Sequence, residues 1–220
     1  MIGDFNKFAL SKGIPSQTLC DYGKFTSGYV NPTIIEERQL HVTQMDVFSK
    51  LIQERQIFLG TAIDSDVANI INAQLLYLDS VSDEDITILV NSPGGVCYDG
   101  LSIIDTMNYV SANVGTMCAG LAASMGAVIL SNGEKGSRFA LPHSRVMIHQ
   151  PLGGAKGQAT EIEIEYQQIM LLKKELCGIL AENSGKPIED VLADCERDHW
   201  LTSQEAKDYG LIDGVITKKQ

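Results

Sequence analysis

The 220-residue sequence lacks any cluster of positive charge. Its 17 Lys and Arg residues never occur in runs longer than two, and 28 Asp and Glu residues bring the net charge to −11. Because a phosphate backbone is bound through a concentrated basic surface, this composition argues against a nucleic-acid partner.

Cysteines are too few and too widely spaced for a disulfide framework or a zinc site. There are five of them, an odd number, and no CxxC pair occurs. Both kinds of site need paired cysteines at characteristic spacing. We therefore expect reduced thiols, a cytoplasmic location and no bound metal.

Long hydrophobic runs are also absent. The longest apolar stretch, residues 117–130, has fourteen residues, whereas a membrane-spanning helix needs about 20. The first residues, "MIGDFNKFALSKG", contain no signal-peptide core. We expect no membrane association. Because 44% of the residues are hydrophobic and only 20% are charged, we also expect apolar surface to be buried between subunits.

Beyond residue 30 the chain alternates between strand and helix patterns. Residues 1–30 show no sustained period and are interpreted as a flexible extension or propeptide, and residues 31–220 as one domain. Residues 33–43 fit a strand or a hairpin. Repeated strand–helix–strand units predict an α/β fold with a parallel sheet. The predicted strands are 56–60, 85–90, 114–120, 138–141, 145–149 and 213–217, and the main helices 64–80, 96–110, 123–130 and 157–183, with two short helices before the last strand.

Ser124 is the one hydroxyl in the apolar stretch 117–130. A serine in such surroundings usually returns a hydrogen bond to the preceding helical turn. Here it follows a predicted strand and precedes a predicted helix, with Ala122 and Gly126 as small neighbours. A sharp turn that exposes a nucleophilic serine needs small flanking residues of this kind.

Two other segments are expected at the same edge of the sheet. "NSPGG" (91–95) follows the strand 85–90, and His149 ends the strand 145–149. The first is either an ordinary turn or a loop whose glycines let a ligand approach the backbone. His149 is either structural or the base for Ser124; the remaining histidines, His41, His143 and His199, do not share its position.

A serine nucleophile needs a base, and the base needs a carboxylate to orient it. Composition and spacing do not choose the carboxylate. The candidates are Asp190, Asp194, Glu196, Asp198 and Asp208.

Three segments together resemble the proteolytic subunits of the Clp protease, the S14 serine peptidases. They are "NSPGG" (91–95), "AGLAASMGAVILSNGEKGSRFALPHSRVMIHQPLGGAKGQATEIEI" (119–164) and "DCERDHWLTSQEAKDYGLID" (194–213). The resemblance covers about residues 31–220. It implies a catalytic triad of Ser124, His149 and Asp198. It also implies an oxyanion hole formed by the N–H groups of Gly95 and Met125, and a substrate strand lying along Gly95, Val96, Cys97 and Leu152.

The resemblance further implies a crotonase-like spiral of βα units, with the long helix 157–183 as a protruding handle. Members assemble as two stacked seven-membered rings and cleave unfolded proteins to short peptides inside the chamber. An AAA+ unfoldase, such as ClpX or ClpA/ClpC, feeds the substrate. This sequence has no GxxxxGK[ST] motif, so ATP is expected to be used by that partner and no cofactor is expected in this chain. Members also remove a short propeptide, which places cleavage near Gly28–Tyr29.

The sequence departs from the usual family pattern in "QLHVTQMDVF" (39–48), where many relatives carry Gly-Glu-Arg before the matching Asp. Two other functions are weighed against a peptidase. An acyl-CoA enzyme of the same fold would use glycine-loop amides but needs no Ser–His–Asp set. A non-catalytic ring subunit would have lost members of the triad, all of which are present here.

Overall fold

The computed structural model describes residues 33–38 and 41–218. The chain divides into two compact units, one ending at Lys50 and one beginning at Leu51. The extension predicted for residues 1–30 lies outside the described residues, so it stays a prediction.

The described part of the first unit is a hairpin. Strand β1 (Thr33–Arg38) pairs antiparallel with β2 (His41–Asp46), from Thr33 opposite Asp46 to Arg38 opposite His41. Of the two readings left open for residues 33–43, the hairpin is therefore the observed one. Helix α1 (Val47–Gln53), which the sequence analysis did not predict, follows β2.

The second unit alternates strands and helices. Its strands are β3 (Gln56–Leu59), β4 (Ile86–Ser92), β5 (Val114–Ala123), β6 (Arg138–Ala140), β7 (Arg145–Ile148), β8 (His199–Thr202) and β9 (Gly214–Val215). Its helices are α2 (Ser65–Val81), α3 (Cys97–Tyr109), α4 (Met125–Ser131), α5 (Ala159–Ser184), α6 (Ile188–Asp194) and α7 (Ser203–Tyr209).

Most of the sheet is parallel, in the order β3-β4-β5-β6-β9. Strand β7 pairs in parallel with the end of β5, and β8 runs antiparallel to β7. The α/β prediction is confirmed, and the helices between parallel strands are the crossovers that such pairing requires.

Local sequence explains where these elements begin and which face they bury. The Asp64 side chain accepts a hydrogen bond from the N–H of Val67 at 2.9 Å, as an N-cap of α2 does. Ile71, Leu75 and Leu78 then recur on the buried face of α2. Each buried aliphatic side chain contributes about 1.5–3 kcal/mol, which stabilises the helix against the sheet.

Strand β5 is longer than predicted. It was expected to end at Gly120, with a helix from Ala123, but it continues to Ala123 and α4 begins at Met125. Gly120 has φ of +116°, a conformation that glycine adopts at little cost. Residues before this bend pair with β6, and Leu121–Ala123 pair with β7. The strand therefore delivers Ser124 beside β7.

No helix in the described part of the chain combines the length and the apolar character needed to cross a membrane.

Candidate active site

Three strands carry the predicted site residues to one edge of the sheet. The parallel strands β4, β5 and β7 end at Ser92, Ala123 and Ile148. The next residues along the chain include the glycine loop, Ser124 and His149. Ligands bind beyond the carboxyl ends of parallel strands, so the fold places these groups where an active site is expected.

Ser124 occupies a sharp backbone turn between β5 and α4. Its φ of 53° and ψ of −124° are unusual for a residue other than glycine, and such strain costs about 1–3 kcal/mol. Its N–H donates to the carbonyl of Met147 at 2.8 Å, which ties the turn to β7. Small neighbours are needed here, since a Cβ on Gly126 would lie 3.0 Å from the carbonyl of Ser92.

The side chains of Ser124, His149 and Asp198 form a continuous hydrogen-bonded chain. Ser124 Oγ lies 2.9 Å from His149 Nε2, and His149 Nδ1 lies 3.0 Å from Asp198 Oδ1. A carboxylate only accepts hydrogen bonds, so Asp198 selects the tautomer with the proton on Nδ1. The lone pair on Nε2 then faces the serine hydroxyl, which can be deprotonated by the imidazole.

The antiparallel ladder of β7 and β8 explains which carboxylate reaches His149. Ile148 pairs with His199, so the next position places His149 opposite Asp198. Directly opposed residues in such a ladder have Cβ atoms about 4.5–5.5 Å apart. The register therefore distinguishes Asp198 from the other candidate acids.

Three of the other candidate acids have different partners. Asp194 accepts a hydrogen bond from the Tyr209 hydroxyl at 2.8 Å, and Asp208 accepts one from the Gln204 side chain at 2.9 Å. Glu196 pairs with Lys173 at 2.5 Å. The hydrogen bond and charge of Lys173 hold the pKa of the Glu196 carboxyl below its ordinary value.

The glycine loop packs directly against Ser124. Gly94 has φ of +89°, and its N–H donates to the hydroxyl of Ser92 at 3.1 Å. Two backbone hydrogen bonds of 2.9 Å join the loop to Ile63: the Ile63 N–H donates to the Gly94 carbonyl, and the Val96 N–H to the Ile63 carbonyl. These bonds hold the loop in one conformation.

Among the described residues, the backbone N–H groups of Met125 and Gly126, which follow Ser124, and of Gly95 in the glycine loop have no hydrogen-bond acceptor. A Cβ on Gly94 would lie 2.9 Å from the Met125 nitrogen, so the glycine loop reaches the start of α4. Free N–H groups beside a nucleophile can bind the negative oxygen of a tetrahedral intermediate.

The residues predicted to bind substrate lie on open surface. Gly95 is exposed, Val96 is 51% exposed and Cys97 is half-buried; partial burial raises the pKa of the Cys97 thiol. Leu152, three residues after His149, is 86% exposed. An extended peptide can pair with exposed backbone of this kind.

Comparison with known proteins identifies the family. The Clp protease family model matches residues 38–219. The chain belongs to the Clp protease family. The ATP-dependent Clp protease proteolytic subunit of Bacteroides fragilis strain YCH46 is 57% identical over 218 residues, 98% of this chain and 99% of that protein. The protein of the same name from Porphyromonas gingivalis is 54% identical over 221 residues, 100% of both chains. That from Bacteroides thetaiotaomicron is 56% identical over 218 residues, 98% of this chain and 99% of that protein. The family resemblance drawn from the motifs is confirmed.

Two residues that organise the site were missed in the sequence analysis. Ser92 is fully buried and accepts the hydrogen bond from the Gly94 N–H; a serine two residues before a turn glycine is a recognisable signal for such a bond. Gln150 bonds to the segment before Asp198. Its partners lie more than forty residues away along the chain, so no local signal points to it.

Proposed function

We infer that this member of the Clp protease family is a serine endopeptidase. The observation that carries the proposal is the pair of contacts from Ser124 Oγ to His149 Nε2 and from His149 Nδ1 to Asp198 Oδ1, 2.9 and 3.0 Å long. Three side chains from separate segments meet in the order nucleophile, base and orienting carboxylate. That arrangement is recognised by geometry and not by position in the sequence.

In the proposed mechanism, His149 Nε2 takes the hydroxyl proton as Ser124 Oγ attacks the peptide carbonyl. The C–N bond then breaks, and the imidazolium gives this proton to the leaving amine. A water molecule, deprotonated by His149, hydrolyses the acyl-enzyme and regenerates Ser124. Asp198 keeps the imidazole oriented and stabilises its positive charge.

Backbone groups near Ser124 are proposed to bind the oxyanion and the substrate. The N–H groups of Gly95 and Met125 form the proposed oxyanion hole. Substrate lies extended along Gly95–Cys97 and Leu152 and adds a strand at the exposed backbone. Unfolded proteins present their chains in this extended form. We therefore propose that they are the substrates and that the protein cleaves them to short peptides.

We also propose that the protein works as two stacked seven-membered rings. Residues 159–168, which begin α5, are all exposed. This half of the helix carries Ile162, Ile164 and Tyr166, which are 43%, 55% and 59% exposed. Exposed apolar side chains grouped in this way are typical of subunit contacts. They support the role of α5 as the handle that joins the rings.

The proposed partner is an AAA+ unfoldase of the ClpX or ClpA/ClpC type. The relatives are named as subunits of an ATP-dependent protease, and this sequence carries no GxxxxGK[ST] motif. The partner therefore uses the ATP, and this chain needs no cofactor. We place the activity in the cytoplasm.

Labelling with a fluorophosphonate probe tests the proposal. Such a probe phosphonylates an activated serine, and mass spectrometry of the peptides locates the modified residue. We expect modification at Ser124, no modification in Ser124→Ala, and turnover of a fluorogenic dipeptide without coenzyme A. A wild-type protein that is unlabelled and inactive on the peptide would favour the non-catalytic ring subunit.

A further inference from the structure

The β7–β8 ladder changes at the point where His149 and Asp198 face each other. Up to Ile148 and His199 the pairing is regular. The N–H of Gln150 then donates to the carbonyl of Cys195 at 2.7 Å. Regular register would place Gln150 opposite Arg197, so this bond departs from the ladder and reaches the turn 195–197, which connects α6 to β8 just before Asp198.

Gln150 forms two hydrogen bonds to this turn. Besides the bond from its backbone, its side-chain Nε2 donates to the carbonyl of Glu196 at 3.0 Å. The residue directly after His149 therefore holds two consecutive carbonyls of the segment that leads to Asp198. This turn leads directly into Asp198, so the two bonds hold the backbone that carries the Asp198 carboxylate.

Asp198 has little else to fix its position. Its side chain is 60% exposed, whereas that of His149 is 13% exposed. An exposed carboxylate is not confined by packing, so its direction depends on the backbone that carries it. The ion pair between Lys173, 15% exposed, and Glu196, 60% exposed, also reaches this segment, but it holds the Glu196 side chain and not the backbone that leads to Asp198.

We propose that Gln150 is a positioning residue: its carboxamide holds the 195–197 turn so that Asp198 stays within hydrogen-bonding distance of His149. The inference rests on the proposed serine-peptidase function. Gln150 acts through Asp198 and does not touch the substrate. Its loss therefore lowers kcat and leaves KM within about twofold. Small misplacements of catalytic groups cost up to about a hundredfold in rate, and we expect a loss of about ten- to a hundredfold.

Two variants and one control separate positioning from general damage. Gln150→Ala removes the side-chain donor, and Gln150→Glu replaces it with an oxygen that repels the Glu196 carbonyl. Both keep the backbone bond to Cys195. The control is Gln204→Ala, which removes a matching carboxamide bond, to Asp208 on the exposed face of α7, and should leave kcat and KM unchanged.

The decisive measurement is a double-mutant cycle with Asp198→Asn, read as the rate of fluorophosphonate labelling at Ser124. If Gln150 acts through Asp198, Gln150→Ala slows labelling by about ten- to a hundredfold in the wild-type background and by less than about twofold in Asp198→Asn. Hydrogen–deuterium exchange of residues 195–200 should rise in both Gln150 variants, with the thermal midpoint of unfolding unchanged.

Equal fold losses in both backgrounds, or wild-type labelling and exchange in both Gln150 variants, would overturn the positioning role. A failure of the underlying function looks different. In that case the wild-type protein itself is not labelled at Ser124, or Asp198→Asn is labelled as fast as the wild type.

Discussion

Gly94 and Ser124 are packed so closely that a Cβ on Gly94 would lie 2.7 Å from the Cβ of Ser124. It would also lie 2.6 Å from the carbonyl oxygen of Ala123 and 2.9 Å from the Met125 nitrogen. The glycine loop and the serine turn are therefore in direct contact, with no room for a side chain at position 94.

Replacing Gly94 by alanine should damage stability and activity together. The φ of +89° is unfavourable for alanine, and the added methyl group contacts backbone that cannot move away. We expect a loss of about 2 kcal/mol in the free energy of unfolding and strongly reduced labelling of Ser124.

Gly178→Ala is the control. A Cβ there meets nothing within 4 Å, and alanine should stabilise α5 by about 0.5–1 kcal/mol. A Gly94→Ala protein as stable and active as the control would contradict the tight packing.

The contacts of His149 predict the kinetics of two further variants. Asp198→Asn and His149→Ala should each lower kcat by about three to four orders of magnitude on a fluorogenic dipeptide, while the protein stays folded and assembled. The double variant should lose little more than the worse single one, because the residues act as a unit. Asp190→Asn, on the exposed face of α6, is the matched control and should keep wild-type kcat. Near-normal turnover by Asp198→Asn would reassign the acid.

Elements that depend only on residues close together in the sequence could be predicted from the sequence. Asp64 caps α2 through a bond to a residue three positions away, and the strand–helix alternation requires only neighbouring residues. The turn at Ser124 was recognisable for the same reason, because its small flanking residues are adjacent to it.

Other features depend on partners that are distant in sequence. Strand β8 was not predicted, and without it nothing distinguished Asp198 from the other acids; residue-by-residue pairing with β7 makes the distinction. The choice of Asp198 therefore came from the family resemblance. The end of β5 was misjudged because its last residues are held in a strand by β7, more than twenty residues later, and not by their own preferences.

Stability should depend on pH through Asp213. Burial raises the pKa of its carboxyl, but hydrogen bonds and charge from Arg138 outweigh this and hold it below the ordinary value of 3.8. The Arg138 side chain is 6% exposed and pairs with Asp213 at 2.7 Å. Since the folded-state pKa is the lower one, the stabilisation is complete above the unfolded-state value and disappears as the pH falls through the folded-state value.

Asp213→Asn should accordingly cost about 3 kcal/mol at pH 7, because it leaves a buried guanidinium without its counter-charge. The difference from wild type should shrink as the pH falls below about 4. Urea unfolding of both proteins over a range of pH, at fixed protein concentration, measures this difference in the free energy of unfolding. A difference that stays constant down to low pH would show that the charge of Asp213 is not the cause.

Assembly should be sensitive to single charges placed on the apolar surface of α5. Ile164 is 55% exposed in the described chain, and if this half of α5 joins two rings, a lysine there must be buried at the contact. Ile164→Lys should therefore yield particles of half the wild-type mass in sedimentation velocity. Glu182→Lys, exposed near the other end of the same helix, should keep the full mass. Full-size particles from Ile164→Lys, or wild-type protein that sediments as a 24.0 kDa monomer, would refute the handle role.

Removal of the N-terminal segment should depend on the protein's own nucleophile. Residues 1–30 show no periodic apolar pattern, and the family resemblance begins near residue 31, which places the cut close to Gly28–Tyr29. This segment lies outside the described residues, so the prediction rests on the sequence and on the proposed triad. Active protein should lose about 28 residues, whereas Ser124→Ala should keep them, because cleavage requires the acyl-enzyme formed on Ser124.

Intact-mass spectrometry of both proteins, produced in a host without its own Clp peptidase, shows whether each has lost the segment. Equal trimming of both would assign the cut to another protease, and full length in both would mean that the segment is not a propeptide.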